Sequence, residues 1–344
     1  MTVAALTVLV PVLNEARRIG EVVAALAAQT VKGPVEFLLI DGGSIDGSRA
    51  VLDELAARDP RFRVLDNPNR HIPSALNLGL CHARGEFIAR MDAHTLYPEH
   101  YLAQGLARLR RGDAAWVTGP ALAYGDSTWS RRIALALTTR MGIGGASFRR
   151  VLHEEAETDT GFTGVMRRET LEALGGWDER SLVNEDAELA ARLRASGGRI
   201  VCIPQMAARY VPRDGMTALA RQYFRYGRYR ARTSRLHPES MRLSHVLPPT
   251  MVLVACAAVA APAPVARVAR ALLGVYAVAV VGESALAARD GAARDAATLP
   301  AVFATMHASW GAGFVVGSAQ FGVPLAAVAR VARAGAARCA RRLR

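Results

Sequence analysis

The feature that most narrows what this chain can fold into is the alternation of two hydrophobic periodicities near its start. Residues 5–12, 35–41, 62–66, 87–91 and 115–119 are short apolar runs bounded by Pro, Gly, Asn or Asp. Runs of that length with those borders predict strands. Between them, 19–29, 48–58, 73–83 and 98–110 carry apolar residues at helical spacing. Strands alternating with helices of this length predict βαβ units, hence an α/β domain with a mostly parallel sheet and helices on both faces. Such a sheet opens its binding crevice at the carboxyl ends of its strands. The residues that follow each apolar run are therefore the first place to look for chemistry.

Those residues are acidic or amide-bearing. Asn14-Glu15 follows the first run, Asp41-Gly42-Gly43-Ser44-Ile45-Asp46-Gly47 the second, and Asp92-Ala93-His94 the fourth. In extended backbone, residues i and i+2 point to the same side, so Asp92 and His94 can converge on one cation. A hard divalent ion held by few protein ligands keeps open positions that substrate phosphate oxygens can fill. Gly42 and Gly43 would let a ligand approach the backbone closely. Three such turns along one sheet edge favour a nucleotide site, although each turn also has a local explanation in ordinary turn chemistry.

The formal charge is +13, yet Lys32 is the single lysine among 43 basic residues. This reads as a compositional preference for arginine, and no nucleic-acid partner is expected. The placement of charge says more. Arg221, Arg225, Arg228, Arg230, Arg232 and Arg235 precede a long apolar region, and Arg330, Arg333, Arg338, Arg341, Arg342 and Arg344 form a tail without an acid. Cys81, Cys202, Cys256 and Cys339 fit no ligand spacing, so neither a zinc site nor a disulfide framework is indicated. Residues 2–12 lack a basic start and run into Pro11, so no signal peptide is expected there.

Three stretches, 246–266, 271–288 and 299–316, are apolar enough to consider as membrane segments, each close to the roughly 20 residues a span needs. Pro262 and Pro264 interrupt the first, Glu283 lies in the second and His307 in the third. Buried helices of a soluble domain are the alternative; the flanking basic residues favour the membrane. The expected organisation is a catalytic domain over 1–240, membrane-associated helices over 241–326 and a basic tail over 327–344. An even number of crossings keeps both basic segments in the cytoplasm, which predicts a hairpin of the first two stretches with 299–316 re-entrant or interfacial.

Taken together, Val10-Pro11-Val12-Leu13-Asn14-Glu15, Ile40 through Gly47, Arg90-Met91-Asp92-Ala93-His94, Gly175-Gly176-Trp177-Asp178-Glu179, Asn184-Glu185-Asp186 and Gln222-Tyr223-Phe224-Arg225-Tyr226 resemble the family 2 glycosyltransferases of GT-A fold. The likeness is closer to the branch typified by the succinoglycan glucosyltransferase ExoA, and it covers about residues 5 to 235. It implies inverting transfer of a sugar from a nucleotide-sugar donor, assisted by Mg2+ or Mn2+. By that resemblance Pro11, Asn14, Glu15, Asp41, Arg70, Asn77 and Asp92 are candidate donor contacts. Gly42 stands where many relatives carry a second acid. Asp92 and His94 align with the metal motif, with His in place of the usual second Asp; imidazole suits Mn2+ better than Mg2+.

Glu185-Asp186 opens a helical pattern behind Asn184, a favourable N-cap, and acids suit a first helical turn. The resemblance makes Asp186 the candidate general base. Gln222, Arg225 and Tyr226 resemble the Q-x-x-R-W motif of processive members with Tyr for Trp. Arg225 is placed on the diphosphate and Tyr226 on an acceptor sugar, or all three belong to an interfacial helix. Gly161-Phe162-Thr163-Gly164 resembles the turn lining the acceptor side; with Gly164, Glu185 is a further acceptor or diphosphate contact.

The expectation is a transferase of the cell membrane, its catalytic domain facing the cytoplasm. It would add one hexose, glucose from UDP-glucose, to a lipid-linked saccharide in exopolysaccharide or cell-surface glycan synthesis. Two alternatives remain: a polyprenyl-phosphate sugar synthase, whose acceptor is the lipid phosphate itself, and a non-catalytic membrane scaffold that binds nucleotide sugar or anionic lipid.

Overall fold

The computed structural model describes residues 6–145, 147–150, 153–288 and 293–342. Its first elements are β1 (Leu6–Val12), α1 (Ile19–Ala27), β2 (Val35–Asp41), α2 (Ser48–Arg58), β3 (Phe62–Asp66), α3 (Ile72–His82) and β4 (Phe87–Arg90). Next come β5 (Thr95–Leu96), α4 (Tyr101–Leu109), β6 (Trp116–Thr118), β7 (Ala121–Ala123), α5 (Thr128–Ala136), α6 (Arg140–Ile143), β8 (Ala156–Thr158) and β9 (Gly164–Arg167). After these are α7 (Arg168–Ala173), α8 (Glu185–Ala195), β10 (Ile200–Cys202), β11 (Ala208–Tyr210) and α9 (Met216–Leu236). The last are α10 (Leu243–Ala260), α11 (Ala263–Ala288), α12 (Ala293–Ala296), α13 (Leu299–Phe321) and α14 (Leu325–Arg342). The chain forms two compact units. The first comprises Met1–Leu122 and Ala146–Tyr210, the second Ala123–Gly145 and Val211–Arg344.

The first unit is built on an eight-stranded sheet in the order β3-β2-β1-β4-β9-β6-β10-β8. The strands β3, β2, β1 and β4 are mutually parallel. Beyond them β9 runs antiparallel to both β4 and β6, β10 is parallel to β6, and β8 closes the edge antiparallel to β10. Successive side chains alternate between the faces. Leu6, Val8, Val10, Val12, Phe37 and Leu39 share one core cluster with α1, α2 and α4, whereas Leu9, Leu38 and Ile40 share another with α3 and α8. A sheet buried on both faces explains why these strands read as continuous apolar runs. A second sheet, β5-β11-β7, has three short strands.

Among its described residues the second unit holds three helices long and apolar enough to cross a membrane: Leu243–Ala260, Ala263–Ala287 and Leu299–Phe321. The apolar stretch 246–266 does not continue as one helix. It ends at Ala260, and the turn falls at Pro262, with Pro264 in the first turn of α11, where its missing N–H is tolerated. Glu283 and His307, the polar residues of two apolar helices, both meet Met141. Its amide lies 3.5 Å from Glu283 Oε1, and its carbonyl lies 3.2 Å from His307 Nε2. Tyr276 Oη sits 2.9 Å from His307 Nδ1.

The helix α13 packs along α9 with the backbones in close approach. A Cβ placed at Gly313 would lie 2.0 Å from the Phe224 carbonyl, and one at Gly317 would lie 2.3 Å from the Arg228 carbonyl. Glycine is required at both positions.

Candidate active site

In the first unit the register sets Val12 beside Asp41 and Asp41 beside Asp66, so three strands finish together. Pairing of β1 with β4 stops at Leu9–Arg90. Pro11 therefore lies past the β4 ladder, where a strand can lack an N–H. The loops that leave β1 and β2 are fastened to each other. Asn14 takes a left-handed conformation at φ 55°. Its amide donates to Ser44 Oγ at 2.9 Å, and its Oδ1 accepts from the Ile45 amide at 2.9 Å. The amides of Glu15 and Ala16 donate to Ser48 Oγ at 2.8 Å and Asp46 Oδ2 at 2.9 Å. The Ser48 hydroxyl and the Ala16 amide hold the Asp46 carboxyl below the usual carboxylate range.

Asp41 is buried and accepts from the Ser44 hydroxyl at 2.6 Å, with Arg49 Nη1 at 3.7 Å. A Cβ at Gly42 would meet only ordinary contacts, from 3.4 Å outward. Packing therefore does not explain why this position lacks a second acid. Arg70, left-handed at φ 60°, donates to the Gly43 carbonyl at 3.3 Å and ties a third loop to the same edge.

Asp92 lies two residues past the end of β4, and its position is over-determined. Arg90 Nε donates to Asp92 Oδ1 at 2.9 Å, and Nη2 lies 3.4 Å from Oδ2. The Asp92 amide donates to Tyr97 Oη at 2.6 Å; burial raises the Tyr97 hydroxyl well above its usual range. The third guanidinium nitrogen, Arg90 Nη1, sits 2.9 Å from Glu185 Oε1. That contact is an ion pair by distance, but its alignment falls short of a hydrogen bond. All four residues of β4 are buried. Burial opposes the Arg90 charge, but Asp92 and Glu185 outweigh it and hold the guanidinium protonated. Burial also dominates at Glu185 and raises its carboxyl; Arg90 pulls against that effect, Asp186 and Asp92 add to it, and the result is about 7.

Helix α8 begins differently from the expectation. Asn184 occupies the N-cap position but adopts φ 65°, ψ 27°, and its side chain makes no capping bond. Asp186 Oδ1 instead accepts from the Ala187 amide at 2.7 Å. Gly164 stands opposite Arg90 in the β4–β9 pair. Its φ is 138°, and a Cβ there would lie 2.2 Å from the Val117 carbonyl, so packing alone demands glycine. The neighbouring Thr163 is held by Tyr101 Oη at 2.7 Å and by Trp116 Nε1, which donates to its carbonyl at 3.2 Å.

His94 Nδ1 lies 3.7 Å from Glu15 Oε1, so the loops that follow β1 and β4 meet. Among the described residues no group of three or more His, Cys, Asp or Glu side chains is arranged to enclose a metal. Asp92 pairs with Arg90 while His94 faces Glu15, and the backbone from Asp92 to Thr95 is a turn closed by the Thr95 amide on the Asp92 carbonyl at 3.2 Å, not the extended segment whose i, i+2 geometry was expected. Three carboxylates, Asp92, Glu185 and Asp186, act on one guanidinium. Acids outnumber bases at this edge.

Two groups of expected site residues make contacts of their own. Asn77 uses its amide to hold a turn: Nδ2 donates to the Trp177 carbonyl at 2.8 Å and to Glu179 at 3.1 Å, and Oδ1 accepts from the Trp177 amide at 2.8 Å. Gln222, Arg225 and Tyr226 belong to α9 in the second unit, where Gln222 Nε2 donates to Tyr226 Oη at 2.9 Å. Conversely, Arg90 and Tyr97 were not singled out from the sequence. An arginine inside an apolar strand run was the available signal for the first.

The sequence profile of Glycosyl transferase family 2 matches residues 7–175. The succinoglycan biosynthesis protein ExoA of Rhizobium meliloti is 34% identical over 311 residues, 89% of this chain and 93% of that one. This chain belongs to glycosyltransferase family 2. The transferase is also 30% identical over 123 residues to the glycosyltransferase GlyG of Streptococcus pneumoniae, 36% of this chain and 40% of that one. A mannosyltransferase, PcManGT from Pyrobaculum calidifontis, solved in complex with GDP-Man and Mn2+, matches with a TM-score of 0.56 at 21% identity, covering 91% of this chain and 86% of that one. That likeness shows the GT-A fold.

Proposed function

We propose that this transferase moves a single hexose, with inversion, from a nucleotide-sugar donor onto a lipid-linked saccharide during exopolysaccharide assembly, and that the donor is UDP-glucose. The observation that carries the reading is the convergence of Asp92, Glu185 and Asp186 on Arg90 at the carboxyl edge of the sheet. The name of the relative from Rhizobium meliloti supports the polysaccharide assignment. Asp41 and the fastened loops around Asn14, Glu15 and Arg70 would receive the nucleoside. Asp92 and His94 would hold Mg2+ or Mn2+, which when bound supplies positive charge opposite the departing diphosphate.

Asp186 accepts the proton of the acceptor hydroxyl as that oxygen attacks the anomeric carbon. The bond from carbon to diphosphate oxygen breaks on the opposite face. Glu185, beside Asp186, and Gly164 border the acceptor side in this reading. Gln222, Arg225 and Tyr226 are assigned to the acceptor or its diphosphate. Residues 1–240 carry the chemistry, 241–326 the membrane attachment and 327–344 a basic tail, with the catalytic part on the cytoplasmic side.

The test is thin-layer chromatography of membrane lipids after incubation with several radiolabelled nucleotide sugars, with and without a preformed lipid-linked sugar. Label entering lipid only when the preloaded acceptor is present, and best from UDP-glucose, is the expected result. Label on bare lipid phosphate would instead identify a polyprenyl-phosphate sugar synthase. No transfer and no donor hydrolysis would leave a scaffold.

A further inference from the structure

A guanidinium that hydrogen-bonds one carboxylate through two nitrogens and stands within ion-pair distance of a second through the third does more than neutralise charge. From the last position of β4, Arg90 presents Nε and Nη2 to Asp92, two residues on, and Nη1 to Glu185 at the first turn of α8. Its planar fork fixes angles as well as distances, which a lysine ammonium cannot do. The Tyr97 hydroxyl meets the Asp92 amide from another direction, so both the backbone and the carboxylate of Asp92 are held. The residue after Glu185 is Asp186, whose Oδ1 is bound to the next amide of the same turn.

We propose that Arg90 is a positioning residue that aims the Asp92 carboxylate at a divalent cation and ties the start of α8, with Asp186, to the same point. This rests on the reading of Asp92 as a cation ligand. Asp92 keeps lone pairs outside the Arg90 fork, and those are the ones offered to the cation. A single rigid group thus sets the spacing between the carboxylate that serves the donor and the carboxylate that serves the acceptor.

The sign of one measurement separates this role from simple charge balance. Removing a positive charge beside a cation site raises cation affinity by Coulomb's law. Removing a group that orients a metal-binding carboxylate lowers affinity, by roughly 10–100-fold for outer-shell partners.

The experiment is Mn2+ titration followed by electron paramagnetic resonance on the full-length protein in detergent, with UDP or GDP present, beside thermal unfolding. Arg90→Met and Arg90→Lys are compared with wild type. Weaker Mn2+ binding in both variants is the expected result, because Lys restores the charge without the fork. If Arg90→Met does not fold, Arg90→Lys decides alone. Wild-type or tighter Mn2+ affinity in Arg90→Lys, with folding retained, overturns the proposal while leaving the cation reading intact. Absence of Mn2+ binding in wild type itself removes the cation reading and the proposal together.

Discussion

Glu185→Gln tests the electrostatics of the site through stability. Burial and its acidic neighbours raise the Glu185 carboxyl from 4.5 to about 7 in the folded protein. Between those two values the unfolded chain has lost its proton while the folded protein keeps it. The folded state therefore binds more protons, and stability falls as pH rises across that window. The penalty is absent below about 4.5 and complete above about 7. A gap of about 2.5 pH units at 1.36 kcal/mol each amounts to about 3 kcal/mol. Gln carries no charge to desolvate, so the variant should match wild type near pH 4.5 and be the more stable protein at pH 8, by at most that amount. Thermal unfolding in detergent with EDTA, at pH 5 and pH 8, reads the difference. A stabilisation of this size raises the midpoint by roughly 2–4 °C per kcal/mol for a domain of 150–250 residues. A midpoint difference that is the same at both pH values, or a variant less stable than wild type at pH 8, would refute the reasoning.

Asp92→Ala should abolish transfer, and EDTA should do the same to wild type until Mn2+ is added back; full turnover in EDTA counts against the cation. Asp186→Asn should bind UDP-sugar nearly as wild type does but lose at least ~10²-fold in rate, and isothermal titration beside a radiolabel assay separates the two. Gly313→Leu forces a side chain into the Phe224 carbonyl. It should destabilise the second unit by roughly 1–3 kcal/mol, as overpacking does, measured as a lowered unfolding midpoint. Ala337→Cys, in a variant lacking the native cysteines, should resist an impermeant thiol reagent applied to intact cells, because two crossings keep the tail inside; labelling would favour three.

Much of the sheet was legible because its strands are buried on both faces and its turns carry Gly, Pro and Asp. The short strands β8 (Ala156–Thr158) and β11 (Ala208–Tyr210), with three residues each, are too brief for any periodicity to declare. The edge residues were legible as a set because parallel register makes strand ends coincide. Their exact partners were not. Arg90 sits within an apolar run, and nothing local announces that its guanidinium spans from β4 to α8, 95 positions away in sequence (Arg90 to Glu185). Asn77 shows the converse. A lone helix-surface amide looks available, yet its partner Trp177 is |i−j| = 100 away. Asn184 illustrates a third limit, since residue preference at an N-cap says nothing about whether φ will be negative or positive, and here it is 65°.

The three apolar helices look alike in composition, but their surroundings divide them. The most apolar window of α10 is 11% buried and that of α11 17%, whereas that of α13 is 39% buried. The partner of α13 is α9, which carries six arginines and no acid. Contacts advance together along the pair: a Cβ at Gly227 would meet the Trp310 carbonyl, Arg228 Nε bonds Gln320 at 2.7 Å, and Tyr229 packs on Phe321 at 5.9 Å. The shared axis continues to Arg235, which donates to the Phe321 carbonyl. A helix that shares its length with six arginines cannot lie in hydrocarbon without taking them along, at about 2.5 kcal/mol or more for each arginine near the bilayer centre. Gly313 and Gly317 of α13 are explained by α9, whereas Gly311 meets the Pro248 carbonyl of α10; we expect the α9–α13 pair to lie at the interface. On that expectation α10 and α11, joined by the short Pro262 turn, would be the two crossings, with the arginines of α9 and of the tail on one side.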